Sequence, residues 1–222
     1  MMTFDYSNKN YPRIKTSLER AHNPDVCPIR TKMFDAENSF FRKSLVGGKV
    51  LVAGSGLGHD SFELAEYNKE VVGVDVISEL ILDSVKELVR KEYSNIYFRN
   101  ADFFNLDYKD KTFDAAVLNM GTIGNFENRH DLLKELTRVA DKVVFSYYVV
   151  GEEKTKKRFQ MYVEEGFHGL PKIVGNKIIG GSGFVSEAIE ATELYKIADS
   201  MRAELKIYPL YDFVNMAELY VR

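Results

Sequence analysis

Short apolar, β-branched runs alternate along this chain with stretches whose apolar positions recur every three or four residues. Lys49–Ala53 is the first such run and predicts a strand. Three glycines on alternate positions, Gly54, Gly56 and Gly58, break it, and an amphipathic stretch over residues 61–67 predicts the start of a helix. Val71-Val72-Gly73-Val74 is a second strand and ends in Asp75. Ser78 is placed to cap the helix that follows, in which Leu82, Val85 and Val89 take helical spacing and Ile81 and Leu88 widen the stripe. Further strands are expected at residues 96–99, 114–118 and 143–148. A helix over residues 131–140 puts Leu133, Leu136 and Ala140 on one face.

The later part of the chain keeps the alternation with one interruption. Thr192 is placed to cap a helix carrying Leu194, Ile197, Ala198 and Met201, and strands at residues 204–208 and 214–221 follow. The link 209–213 is too short for a helical crossover, so these two strands are expected to pair antiparallel. Residues 150–183 do not belong to the repeating pattern. Within them a helix is expected over residues 154–164 and a hairpin over 172–179 with Gly175-Asn176 as its turn. Gly151, Gly166, Gly169, Gly180, Gly181 and Gly183 give the stretch hinges, and Phe159, Tyr162, Phe167 and Leu170 give it apolar groups that a solvated loop does not need. It is expected to act as a lid. A helix is expected over residues 34–46, and residues 1–35 show no clear period and are read as an N-terminal arm with short helical pieces.

Strands alternating with helices predict a parallel α/β sheet of Rossmann type, a single domain over residues 1–222. Right-handed crossovers line the loops after each strand along one edge, where ligands bind. The composition adds limits. With 222 residues and a net charge of -3, the chain has no electrostatic footprint for nucleic acid. Its single cysteine, Cys27, excludes an internal disulfide and a cysteine metal site, and no metal is expected. No apolar run is long enough to span a bilayer and no signal-peptide pattern is present, so no membrane partner and a cytoplasmic location are expected.

The glycine turn carries the chemistry. A dinucleotide fingerprint is G-x-G-x-x-G, with a pyrophosphate on the helix N-terminus. Here His59 stands where the final glycine of that pattern belongs, and Asp60 puts a negative charge where a pyrophosphate would lie. An acid there suits a cofactor that has no phosphate and does carry a cation. Asp75, about 20 residues past the first glycine, is placed for ribose hydroxyls. In these features the chain, from about Phe40 onward, resembles the class I S-adenosylmethionine-dependent methyltransferase family. The resemblance implies a strand order of 3-2-1-4-5-7-6 with an antiparallel last strand, and S-adenosyl-L-methionine as cofactor. It implies cofactor contacts from Gly54, Ser55, Gly56, Gly58, Asp75 and Val76, from Asp102 and Phe103 after the third strand, and from Asn119 and Met120 after the fourth. One departure is Val52, where the family usually has an acid.

The loop 119–125 lacks the Asn/Asp-Pro-Pro-aromatic motif of methyltransferases that act on amide or base nitrogens, and so resembles small-molecule members. A small-molecule acceptor is therefore expected. Methyl transfer from a sulfonium is mainly a matter of alignment, and the sequence names no catalytic base. Tyr11, Tyr147, Tyr148 and His168 are the candidates for the acceptor pocket. The run Lys154, Lys156, Lys157 and Arg158 reads as a solvated helix face. Three alternatives stay open: a methyltransferase-like binding protein without activity, an NAD(P)-dependent oxidoreductase and an RNA methyltransferase. Oligomeric state is not legible.

Overall fold

The computed structural model describes residues 10–166, 169, 171–181 and 184–221. Helices α1 (Tyr11–Ala21) and α2 (Pro28–Ser44) precede an alternating series: β1 (Lys49–Ala53), α3 (His59–Ala65), β2 (Glu70–Asp75), α4 (Ser78–Lys91), β3 (Ile96–Asn100) and β4 (Phe113–Leu118). A 3-10 turn at Thr122–Asn125 leads to α5 (Arg129–Val139) and β5 (Ala140–Tyr148). The insertion holds α6 (Glu152–Glu165), β6 (Lys172–Val174), β7 (Lys177–Ile179) and β8 (Val185–Glu187), and α7 (Ala191–Ser200), β9 (Ala203–Tyr211) and β10 (Val214–Val221) close the chain. The large sheet has the order β3-β2-β1-β4-β5-β10-β9. Its first five strands run parallel, and β10 is antiparallel to both β5 and β9. Numbered within this sheet, the order is the expected 3-2-1-4-5-7-6.

Period-two alternation divides the core between the two faces. Leu51 and Ala53 of β1, Val72 and Val74 of β2 and Val143 and Phe145 of β5 pack with Leu132, Leu136, Leu194 and Ala198 of α5 and α7. Val50 and Val52 of β1, Val71 of β2 and Val144 of β5 pack on the other face with Phe41 of α2, Leu45 just after that helix, and Phe62 and Leu64 of α3. Val52, the position of the departure noted above, is thus part of an apolar layer.

Three expectations are corrected. Helix α2 starts at Pro28 rather than near residue 34. Its buried face includes Arg30 and Glu37, and those charges interrupt the apolar period that would have revealed the first turns. In α4 the expected apolar stripe is split: Leu82, Val85 and Val89 are 57%, 37% and 74% exposed, whereas Ile81, expected to widen it, is buried. The buried side is Leu80, Ile81 and Ser84, and Ser84 Oγ donates to the Gly56 carbonyl at 3.0 Å. A polar side chain therefore sits on the inward face because it anchors the glycine turn. The two expected caps also fail. Ser78 is already helical and its hydroxyl bonds Glu79, while Thr192 lies inside α7 behind Glu190. Strand β9 runs on through Pro209, which an edge strand tolerates because the missing N–H is not needed for pairing.

Candidate active site

The turn after β1 is built from its glycines and from the acid at the end of β2. The amides of Gly54 and Ser55 both donate to the Val74 carbonyl at 2.9 Å, which keeps the turn tight against β2. Gly54, Gly56 and Gly58 all take positive φ, which an L side chain would strain. Asp75 then ties the turn down. One carboxylate oxygen accepts the Gly56 amide at 3.0 Å and the other accepts the Ile77 amide at 2.9 Å. Burial raises the Asp75 carboxyl above its ordinary value, against the pull of the Ile77, Gly56 and Val76 amides.

A cavity of about 630 Å³ opens over this turn, inside the size range of about 300–1,000 Å³ usual for small-molecule sites. Of the residues expected to contact a cofactor, Gly54, Gly56, Asp75, Val76, Asp102, Phe103 and Met120 line it. Ser55, Gly58 and Asn119 are not in its wall. Gly58 faces the packing of α3, where a Cβ would come within 2.7 Å of Phe98 Cζ. The Ser55 hydroxyl is buried without a partner among the described residues. Asn119 lies behind Met120, donating to Asp60 at 3.3 Å and accepting from the Ser146 hydroxyl at 3.2 Å. Asp102 also accepts the Phe104 amide at 2.9 Å, which closes its own loop.

The acceptor-pocket expectations fare differently. Tyr11 is not in the cavity wall: its hydroxyl is held by Asp83 of α4 at 2.5 Å. Tyr147 lies in the apolar core with its hydroxyl accepting from Asn215 at 3.0 Å. Tyr148 is buried too, because β5 is covered on both faces where it ends. It stands one layer behind the wall, accepting from Arg30 at 2.7 Å and donating to the Met120 carbonyl at 3.0 Å. His168 lies outside the described residues, as do Phe167, Leu170 and Gly183.

Side chains of α1, of α2 and of the insertion, where Tyr162 and the hairpin were expected to form a lid, make up the rest of the wall. Leu18 of α1 closes over the turn, so that a Cβ on Gly56 would lie 3.2 Å from Leu18 Cδ1. Helix α1 is tied at one end to Asp83, by Tyr11 and by Lys15 at 2.6 Å. At the other end Arg20 donates to the carbonyls of Glu164 and Glu165 at 2.6 and 2.9 Å. From the insertion come Tyr162, Glu165, Lys177, Ile179, Phe184 and Glu187. Arg30 and Glu165 meet at 2.6 Å with side chains 3% and 2% exposed. Burial opposes the Arg30 charge, but Glu165 and the neighbouring tyrosines more than offset it and hold the guanidinium ionised.

The loop after β4 has one position with no room for a side chain. Gly121 takes φ +67° and donates its amide to Ser146 Oγ at 2.9 Å, and a Cβ there would stand 2.3 Å from the Tyr148 ring. Gly121→Ala is therefore expected to destabilise the fold by about 1–3 kcal/mol through overpacking. Chemical denaturation measures this, and a loss within experimental error would show that Tyr148 can move aside freely. The run Lys154, Lys156, Lys157 and Arg158 divides in two. Lys156 and Lys157 are exposed and paired with acids, whereas Arg158 is buried under the Tyr148 ring.

Comparison with known proteins agrees with this geometry. A family model described as a methyltransferase domain matches residues 45–201. A phosphoethanolamine N-methyltransferase of Triticum aestivum is 26% identical over 131 residues, which is 57% of this chain and 26% of that protein. A phosphoethanolamine N-methyltransferase 1 of Zea mays is 26% identical over 143 residues, 62% of this chain and 28% of that protein. The chain thus spans about a quarter of the length of these curated relatives. Among solved structures, the PH0226 protein of Pyrococcus horikoshii OT3 superposes with a TM-score of 0.68 at 20% identity, covering 87% of this chain and 91% of its own. Magnesium protoporphyrin IX methyltransferase of Synechocystis PCC 6803, solved with bound SAH, gives 0.68 at 15% identity and covers 93% of both chains. At these identities the likeness concerns the fold.

Proposed function

The chain belongs to the methyltransferase-domain family, and from that premise we propose that it transfers a methyl group from S-adenosylmethionine to a small-molecule acceptor. The observation that carries this is the glycine turn held by Asp75 at the wall of one cavity that the insertion also lines. The donor set fits the cofactor. Asp75 offers carboxylate lone pairs beyond the two it uses on the turn, suited to ribose hydroxyls. Val76, Ile77, Leu80 and Phe103 give an apolar seat beside Asp102 for a purine. The acid in the first turn of α3, Asp60, disfavours a pyrophosphate and hence a dinucleotide.

When bound, S-adenosylmethionine supplies an activated methyl on a sulfonium. What is left to the chain is to hold the acceptor in line and to keep water out. Leu18, Ile179 and Phe184 give the cavity apolar walls, while Arg30, Glu165, Lys177 and Glu187 place charge around the acceptor side. A walled site of this kind suits a small acceptor. Among the described residues no helix is long and apolar enough to cross a membrane. A cytoplasmic location is part of the proposal.

A thermal-shift series tests the function directly, because a ligand that binds the folded state alone raises its melting temperature. S-adenosylmethionine and S-adenosylhomocysteine are expected to raise it and NADH to leave it unchanged. The opposite pattern overturns the proposal. Residues 150–183 and α1 are further proposed to act as a lid over the cavity. Hydrogen exchange in α6 and β6–β8 is expected to slow when cofactor and acceptor bind; protection equal to that of β1 and β4 without ligand would show a fixed wall instead.

A further inference from the structure

The charges that the insertion brings to the main cavity are unevenly paired. Arg30 holds Glu165 at 2.6 Å and donates to Tyr148 at 2.7 Å. Glu187 of β8 gives Oε2 to Arg129 at 2.5 Å, and Arg129 takes Glu193 as well, at 2.7 Å. Glu127 is exposed at the rim, where salt and water screen it. Lys177 of β7 lines the same wall, and its only ionic neighbour among the described residues is Glu187. Its Nζ lies 3.6 Å from the oxygen that Arg129 already holds, beyond hydrogen-bond length. Behind this wall Arg158 of α6 is 1% exposed. Its Nη2 donates to the Asn176 carbonyl at 2.6 Å, while Nε and Nη1 have no partner and no acid pairs with it among the described residues. Two cations thus meet at the Gly175-Asn176 turn without a carboxylate of their own. The turn is held in place. Asn176 Nδ2 donates to the Ala188 carbonyl at 2.8 Å, and the Asn176 carbonyl accepts the Ala188 amide at 3.0 Å. Strand β8 packs so closely on the 3-10 turn after β4 that a Cβ on Gly124 would stand 2.3 Å from the Glu187 carbonyl oxygen. The hairpin therefore sits over the loop after β4, at the ligand edge of the sheet.

We propose that Lys177 determines acceptor specificity, and that the acceptor is a small molecule with an anionic group, a carboxylate or a phosphate ester, that pairs with its ammonium. The inference deepens the proposed function and rests on it. A cationic acceptor would have to displace a guanidinium, because Glu165 and Glu187 are each already held by an arginine. An anion displaces nothing. It meets an ammonium with three donors and no hydrogen-bonded acceptor among the described residues. The unopposed charge of Arg158 behind the wall adds attraction of the same sign, undiminished by water because the guanidinium is buried. Arg158 itself is a positioning residue: through the Asn176 carbonyl it fixes the turn from which Lys177 projects. Ile179 and Phe184 of the same insertion line the cavity with apolar surface, and a charge-assisted hydrogen bond gains strength where water is excluded. Anchoring one end of a small acceptor at Lys177 leaves its other end to the part of the cavity walled by the glycine turn.

The test is the melting temperature of the full chain with S-adenosylhomocysteine. It is measured in sodium phosphate, sodium acetate or ethylamine hydrochloride, each against sodium chloride at equal ionic strength. Phosphate or acetate is expected to raise it, by about 3–6 °C at ten times the Kd of the anion, and ethylamine to leave it unchanged. A rise with phosphate alone assigns a phosphate ester, a rise with acetate alone a carboxylate, and a rise with both the charge they share. The rise is expected to vanish in Lys177→Met and to persist in Lys177→Arg. That comparison separates a seat at this residue from the general stabilisation that phosphate gives folded proteins. The Lys177 side chain is 35% exposed, so its loss leaves the core intact, and Lys177→Gln replaces the methionine variant if that one does not fold. No rise with either anion, a rise with ethylamine, or an anion rise that survives Lys177→Met overturns the proposal. The same series without S-adenosylhomocysteine keeps the two readings apart. Anion rises that depend on Lys177, in a protein that S-adenosylhomocysteine does not stabilise, uphold the seat and overturn the cofactor reading beneath it.

Discussion

Asp75→Ala is expected to weaken binding of S-adenosylhomocysteine by about 1.5–3 kcal/mol, the range for hydrogen bonds to a charged group. That is roughly a 10- to 150-fold rise in Kd. Two effects act together. The substitution removes the carboxylate proposed to accept the ribose hydroxyls. It also releases the amides of Gly56 and Ile77, which Asp75 holds at 3.0 and 2.9 Å, so the turn loses its tie to the end of β2. Asp75→Asn keeps one acceptor oxygen and is expected to fall between the two. Because burial raises the Asp75 carboxyl, protonation sets in at a less acidic pH than for a surface aspartate, and affinity is expected to fall as pH drops through that range. Calorimetry with the fold checked by circular dichroism decides the matter. Unchanged affinity in the alanine variant would show that the ribose is held elsewhere.

The largest effect on stability is expected from Arg30→Ala. Its guanidinium joins three elements, donating to Glu165 at the end of α6 and to Tyr148 at the end of β5 from its place on α2. It also lies over the Phe34 and Tyr162 rings, 5.8 and 5.6 Å from their centroids. Removing one partner of a buried pair leaves the other charge uncompensated, at about 3–5 kcal/mol. Urea denaturation of Arg30→Ala should show a loss of that size. The double variant Arg30→Met with Glu165→Met should recover most of it, since neither charge is then left buried. A single-variant loss below about 1 kcal/mol would mean that water reaches Glu165 without difficulty.

The parts of the molecule that could be read in advance were those written in a short window of sequence. The unit from β1 through the glycine turn to Asp75 is one: strand, turn and strand-end acid stand within a few residues of where periodicity and glycine spacing put them. The hairpin around Gly175-Asn176 and the antiparallel pairing of β9 with β10 are others, since a turn and a short link constrain only their own neighbours. Helix α4 shows the limit. Its apolar residues define a stripe, but the stripe with Leu82, Val85 and Val89 points outward and Ser84 points in. Which side was buried depended on the Gly56 carbonyl that Ser84 binds, and Gly56 lies 28 positions away in the chain.

Sequence alone therefore determined the alternating sheet, the glycine turn after its first strand and the acid at the end of β2; that this acid clamps the turn was decided by the fold. The first three follow from local steric and hydrophobic periods that hold wherever the segment ends up. Only the tertiary structure decided what walls the cavity. Arg30 and Glu165 are 135 positions apart, and each reads as an ordinary surface charge until the other neutralises it in the interior. Tyr147 and Tyr148 sit at the correct end of β5, yet the burial of both faces of that strand turned them from wall residues into its support. Burial of a polar group is set by the partners that surround it, and these come from distant parts of the chain.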